Sequence, residues 1–366
     1  MKIQAAVTHA AHAPMDIEEL ELEDPRADEI LVRVVGTGIC HTDVVMRDHA
    51  LPTPHPAVLG HEGAGIVERV GAAVTSVEPG DHVVMSFNSC GRCPACVDGA
   101  PSYCHAFFPL NILGARLDGS TPLSGASGPV HGNIFGQSSF ATHALCNERN
   151  VVKVDKDLDL HMLGPLGCGV LTGAGSVFNS LELRAGRSIA VFGVGAVGLS
   201  AIMAARVVGA AAIMAVDLNA DRLELATSLG ATHTINAGTS DVLEAINAIS
   251  PVGVDYVLDT TGNLGVIHTA VAALAPRGKC GLIGAMPPGS KLDLDTTYLM
   301  SGGRAVMGIV EGSADPQQLI PRLIGLWREG RFPFDRLISY YSFAAINDAI
   351  ADAEKGTAVK PVLRMD

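Results

Sequence analysis

In the first half of the chain, apolar residues fall in short alternating runs. ILVRVVGTGIC, GAGIVERVG and DHVVMSF read as strands joined by glycine turns. Many short strands predict a barrel-like β domain. Near residue 170 the texture changes. SIAVFGVGAVG is an apolar strand with a glycine turn, and LSAIMAARVVGA a helix. AAIMAVD is a second strand, and NADRLELATSLGA a second helix. VDYVLDTTG and KCGLIGA follow as later strands. Strands alternating with helices predict a doubly wound parallel sheet. Beyond about residue 310 come two helices, DPQQLIPRLIGLWREG and FAAINDAIADAEKG, and a terminal strand, KPVLRM. The segment Pro109 to Gly136, rich in Gly, Ser and Pro, is expected to be a long loop.

Composition narrows the class. A chain of 366 residues suits two domains, and 17% charged with 48% apolar residues describes a globular protein. The net charge of −13 argues against nucleic acid or an anionic membrane as partner. The uncharged run Ile189 to Ala205 carries three glycines, which suit a strand, turn and buried helix better than a membrane span. No targeting segment is visible. The expectation is a cytoplasmic protein whose eight cysteines are reduced or metal-bound.

Four of those cysteines, Cys90, Cys93, Cys96 and Cys104, lie in CGRCPACVDGAPSYC. Thiolates at this spacing can close a tetrahedral zinc cage, which is structural because no position stays open. A disulfide pair or an iron–sulfur cluster would use the same residue type; the absence of a secretory signal disfavours the first. Gly193, Gly195 and Gly198 form GVGAVG between a strand and a helix, the context of a dinucleotide-binding turn. Asp217 ends the next strand, where a carboxylate binds ribose hydroxyls and repels a 2′-phosphate, so NAD is expected over NADP. Asp217 also reads as a helix cap. Arg222, one turn on, lies either at the ribose edge or on a solvated helix face. Cys40, His61 and Cys168, with Glu62 beside His61, are scattered in glycine-rich turns. Two thiolates and one imidazole would leave zinc an open position, as a catalytic site requires. A lone Cys or His is more often a core residue.

Together GHEGAGIVERVG, the four-cysteine loop, GCGVLTG, GVGAVG and GTAVKPVL resemble the zinc-dependent medium-chain alcohol dehydrogenases over essentially the whole chain. GTGICHTD, FGQSSFATHAL and MLGPLGCG are similar to the aryl-alcohol (benzyl alcohol) and geraniol dehydrogenases among them. The resemblance implies an α/β protein: a GroES-like β-barrel catalytic domain of residues 1–169 and 313–366, and a Rossmann domain of residues 170–312 between them. It implies a catalytic zinc on Cys40, His61 and Cys168 with Glu62 behind it, and a structural zinc on Cys90, Cys93, Cys96 and Cys104. Asp43 would orient His61, Thr172 would touch the nicotinamide, and His41 and Lys360 would contact the pyrophosphate. Thr42 would accept the alcohol proton. Relatives continue that relay with a histidine where this chain has Val45, so water or His41 is expected to take over.

Phe87 resembles a pocket-lining aromatic of the family, with Ala285 and Val310 at other pocket positions. Phe107, Phe108, Leu110 and Ile112 could add an apolar wall, and any of these could equally be core. Apolar lining favours benzyl-type or allylic alcohols, and their aldehydes, over polyols. A homodimer or homotetramer is implied. A zinc protein that binds NAD without turnover, or a zinc-free reductase, is the competing reading; counting zinc per chain separates them.

Overall fold

The structure, a computed structural model, describes residues 1–286 and 289–365. The chain forms two compact units. One comprises Met1–Gly169, Asp315–Arg322 and Asp335–Asp366; the other comprises Val170–Ala314 and Leu323–Phe334. The first break between the units falls after Gly169. In the tail, Leu323–Phe334 groups with the second unit and Asp335–Asp366 with the first. The helix Pro316–Arg328 runs through the change of allegiance, and its apolar pattern, LIPRLIGLW, shows no break there.

In the first unit the described residues form a five-stranded and a seven-stranded sheet. The spine of the larger sheet is the strand Glu29–Gly38. It pairs antiparallel with Glu62–Val70, with His143–Asn147 and with the terminal strand Lys360–Arg364. Its side chains are buried almost throughout because it has neighbours on both edges. Ile30, Val32 and Val34 pack with Val67, Val83 and Met85 in one core. The register sets Gly38 opposite both Glu62 and Val362. This pairing draws the end of the chain to the start of Glu62–Val70.

The segment Pro109 to Gly136 is not the plain loop its composition suggests. Leu123–Gly125 and Gly128–Val130 form a hairpin that extends the smaller sheet beyond Asp16–Leu22. Three-residue strands are too short to leave a hydrophobic period. The segment is also pinned by Arg116, 7% exposed, whose guanidinium donates to both Glu29 carboxylate oxygens at 2.6 and 3.0 Å.

The second unit carries a parallel sheet of six strands among the described residues. The spatial order is His233–Asn236, Ala212–Asp217, Ser188–Phe192, Val254–Asp259, Leu274–Leu282, Ala305–Gly308. That is the 3-2-1-4-5-6 order of a doubly wound dinucleotide fold. Helices cover the sheet, so its strands are continuous apolar runs such as IAVF and IMAV, not alternating ones. Phe192, Met214, Val216 and Val257 pack with Ile267 in its core. Among the described residues no helix is long and apolar enough to cross a membrane.

Candidate metal centres and dinucleotide site

Within the first unit, Cys40, His61, Glu62 and Cys168 converge. One potential ligand atom from each lies within 4.8 Å of the others. Cys40 precedes the short helix His41–Arg47, and Asp43 in that helix ties the site together. One Asp43 oxygen accepts the Cys40 backbone N–H at 3.0 Å. The other accepts Gly60 N–H at 3.1 Å and His61 Nδ1–H at 2.8 Å. The bond to Nδ1 fixes the tautomer and leaves Nε2 as the donor to an ion. That Nε2 is buried and has no hydrogen-bond partner among the described residues. A buried orphan nitrogen beside two thiols is the donor set of a zinc site, so these residues fit the metal.

The electrostatics agree. The Cys168 thiol beside it, then the Lys360 ammonium and His61, hold the Cys40 thiol well below its ordinary value against the effect of burial. Burial weighs against a proton on His61, but the Asp43 carboxylate outweighs it and raises the imidazole well above its usual value. A proton and a metal ion therefore compete for Nε2.

Glu62 is fully buried, and its carboxylate is taken by other groups. Lys360 Nζ donates to both its oxygens at 2.9 Å, and Gly169 N–H donates to one of them at 3.0 Å. Lys360, expected at the pyrophosphate, stands against this carboxylate. It is 2% exposed, and its third donor goes to Ile39 C=O at 3.1 Å. An ammonium has three N–H groups, and all three are spent here. Burial opposes the charge on Lys360, but the Glu62 carboxylate more than offsets it and raises the amine above its ordinary value. Burial pushes Glu62 up, with Lys360 opposing.

Around the cluster, Thr42 Oγ lies 3.8 Å from Cys40 Sγ. His41 is exposed at the first position of its helix. Two residues not singled out from the sequence complete the surroundings of His61. Phe135 stacks on its ring, with centroids 4.5 Å apart and planes at 27°. Gln137 donates to His61 C=O at 2.9 Å and accepts Gly63 N–H at 3.0 Å. Both lie in FGQSSF, and only their polar–aromatic mixture next to a glycine could have flagged them. Phe135 also holds a left-handed backbone, φ +50°. Phe107 meets Phe135 edge-on at 6.2 Å and Phe87 at 5.7 Å, so the aromatic residues run in a row from the imidazole. Leu110 and Ile112 are buried, whereas Phe108 is 47% exposed.

Four further cysteines, Cys90, Cys93, Cys96 and Cys104, form a second cluster, again with sulfur atoms within 4.8 Å of one another and no disulfide among them. Backbone N–H groups point at the sulfurs: Cys90 and Ala106 at Cys104, and His105 at Cys93. The backbone N–H groups of Arg92 and Cys93 draw the Cys90 thiol down to about 6, while burial pushes Cys104 up to about 12. All-sulfur ligation with N–H donors to sulfur suits a closed zinc site.

The second unit holds the glycine motif. Gly193 has φ +82°, a conformation that disfavours side chains, and a Cβ there would meet Thr260 Oγ at 2.6 Å. A Cβ on Gly198 would lie 2.0 Å from Gly193 C=O, so this glycine permits helix and strand to touch. Gly195 caps the helix Ala196–Val208 and has open space before it, as an approaching phosphate requires. Asp217 accepts Val194 N–H at 2.7 Å on one oxygen and Asn219 N–H at 2.9 Å on the other, which locks the glycine turn to the strand end. A groove of about 480 Å³ opens there, lined by Gly193, Asp217, Leu218, Thr261, Asn263 and Val266 among others. Arg222 Nε is buried without a partner. Thr172 donates to the buried Glu311 carboxylate at 3.2 Å.

The fold and the two thiolate clusters define a zinc-binding, nucleotide-dependent oxidoreductase. Residues 26–156 match the alcohol dehydrogenase GroES-like domain, and residues 196–325 match the zinc-binding dehydrogenase family. The chain belongs to the zinc-type medium-chain alcohol dehydrogenases. It is 48% identical to a geraniol dehydrogenase of Castellaniella defragrans, over 98% of this chain and 97% of that protein. The crystal structure of benzyl alcohol dehydrogenase from Acinetobacter calcoaceticus superposes with a TM-score of 0.97 at 46% identity, covering all of both chains. An alcohol dehydrogenase zinc-binding domain protein from Burkholderia ambifaria gives 0.98 at 51%, covering all of this chain and 99% of that one.

Proposed function

We propose that this protein is a two-zinc, NAD-dependent dehydrogenase that interconverts primary aromatic alcohols and their aldehydes. The observation that carries the reading is the partnerless, buried Nε2 of His61 beside the sulfurs of Cys40 and Cys168. Zinc held there would supply Lewis acidity, and a nicotinamide cofactor would supply the hydride acceptor. The chain's own residues do the rest. Cys40, His61 and Cys168 hold the ion on three sides, and Asp43 keeps His61 in the ligating tautomer. Thr42, next to Cys40, is the first proton acceptor. Val45 cannot pass the proton on, so it leaves through water or His41. Cys90, Cys93, Cys96 and Cys104 hold the second zinc.

NAD is favoured because Asp217 brings a carboxylate to the groove and repels a 2′-phosphate. The aromatic row Phe87, Phe107 and Phe135 supports a flat, apolar substrate. Allylic terpenoid alcohols are the second reading, favoured by the similarity to a protein named geraniol dehydrogenase. The exposed edge strand Ala305–Gly308 supports assembly into a homodimer or homotetramer. The test is the initial rate of NADH or NADPH formation with benzyl alcohol, geraniol and sorbitol, together with a metal count. Two zinc per chain and NADH formed fastest from benzyl alcohol are expected. Faster turnover of sorbitol, or a preference for NADP, would refute the reading.

A further inference from the structure

Glu62 poses a problem for an open metal site. Its carboxylate is a competent zinc ligand, and an oxygen of it lies within 4.8 Å of the donor atoms of Cys40, His61 and Cys168. If it joined them, the ion would have four protein ligands, the closed arrangement of a structural site. We propose that Lys360 is a positioning residue that holds the Glu62 carboxylate back from the metal and so keeps the fourth coordination position for the substrate. This rests on the zinc dehydrogenase reading given above.

The geometry of the restraint is specific. Lys360 Nζ spans both Glu62 oxygens at 2.9 Å, and Gly169 N–H adds a bond to Oε1 at 3.0 Å. Among the described residues Oε2 has Lys360 as its one hydrogen-bond donor, so loss of Lys360 releases that oxygen. The ammonium itself is anchored by Ile39 C=O at 3.1 Å, one residue before the ligand Cys40. The space for the carboxylate is built into the backbone. A Cβ on Gly38 would lie 2.0 Å from Glu62 Oε2, and one on Gly169 would lie 3.2 Å from Oε1 and 3.3 Å from Lys360 Nζ. The pocket therefore fits the held-back carboxylate and its lysine as a unit. Charge gives the same answer. Lys360 supplies the buried positive charge beside Glu62, and without it the fully buried carboxylate keeps the Gly169 N–H on Oε1 but turns its freed Oε2 to the metal.

The test uses the full-length protein with cobalt(II) in place of zinc, and imidazole as a probe of the open position, followed by visible absorbance. Wild-type protein should respond to imidazole. Lys360→Gln should keep its cobalt but bind imidazole at least ~10-fold more weakly, the scale at which partners of ligands act on metal sites. Lys360→Arg, which can still span the carboxylate, should retain most of the response. Removing the competing group as well, in Lys360→Gln with Glu62→Gln, should restore it. A folded, cobalt-loaded Lys360→Gln with wild-type imidazole affinity overturns the proposal. Should that variant not fold, Glu62→Gln is compared with the double variant, in which both buried charges are gone. Equal imidazole affinities support the proposal, because Lys360 then has no carboxylate to restrain, and a tenfold difference overturns it. A wild-type protein that takes up no cobalt, or whose cobalt ignores imidazole, overturns the zinc dehydrogenase reading and this inference with it.

Discussion

Asp43 Oδ1 accepts the Nδ1–H of His61 at 2.8 Å, with both side chains at most 1% exposed. The same carboxylate holds the backbone of Cys40 and of Gly60, so a single side chain sets the positions of two of the three proposed ligands. Asp43→Asn keeps the shape but loses the charge, and its amide nitrogen cannot accept all the N–H groups that now point at Asp43. The expected outcome is a loss of about 10–100-fold in zinc affinity at this site, read by competition with a chromophoric chelator. The four-cysteine site should be unaffected. Wild-type affinity in the variant would mean that His61 is oriented by packing, for instance by Phe135, and not by Asp43.

The four-cysteine loop titrates in a way that its metal must respect. Without an ion, the backbone N–H groups of Arg92 and Cys93 bring Cys90 to about 6, and burial raises Cys104 to about 12. Near neutral pH the first is mostly thiolate and the second is a thiol, so zinc must displace at least the Cys104 proton. Apparent zinc affinity of the loop should therefore rise with pH across the neutral range, with protons released on binding, measurable by calorimetry in buffers of different ionisation enthalpy. Cys93→Ser should remove one zinc per chain and leave the other bound. Loss of both would show that the two sites fold as one.

What was legible in the sequence was local. Four cysteines within one loop, three glycines within one turn and Asp217 at one strand end each carry their chemistry in their spacing. The parallel, doubly wound sheet followed as well, because its buried strands are continuous apolar runs alternating with helices. What was not legible came from long-range pairing. Through the family resemblance Lys360 reads as a contact of the pyrophosphate, and nothing in its neighbourhood along the chain points to Glu62. It meets Glu62, 298 residues away in sequence, because the strand Lys360–Arg364 pairs with Glu29–Gly38, which in turn pairs with Glu62–Val70. Phe135 and Gln137 likewise reach His61 only through the fold. The hairpin at Leu123–Val130 was hidden by strands too short to show a period.

Asp217 does two things at once. It holds Val194 N–H and Asn219 N–H, and each oxygen retains a lone pair directed elsewhere. Asp217→Ser would remove the repulsion toward a 2′-phosphate and loosen the glycine turn together. KM for NAD should rise by about 10-fold, one charge-assisted hydrogen bond's worth, while KM for NADP falls. The two constants are compared at one alcohol concentration. A variant that keeps the wild-type ratio would show that the cofactor's adenosine end is read elsewhere, with Arg222 the next residue to change.

His55 makes the fold sensitive to acid. Both its ring nitrogens are buried beside the Met46 backbone, and its ring lies 3.9 Å from that of His49. Burial, then the proximity of His49, hold its pKa below the usual histidine value, with His131 and His9 adding to the effect. The sign follows. In the unfolded chain His55 takes up a proton near pH 6.5, whereas the folded protein still refuses it. As pH falls below that point the unfolded state binds more protons, and stability drops until the folded value is reached, after which the loss is complete. Above the unfolded value the residue contributes no pH dependence. His55→Phe keeps an aromatic ring against His49 and has nothing to titrate. The wild-type Tm should therefore fall more steeply than that of the variant between neutral pH and pH about 5, with the two curves parallel above pH about 7. Parallel curves throughout would show that His55 does not carry the acid sensitivity of the fold.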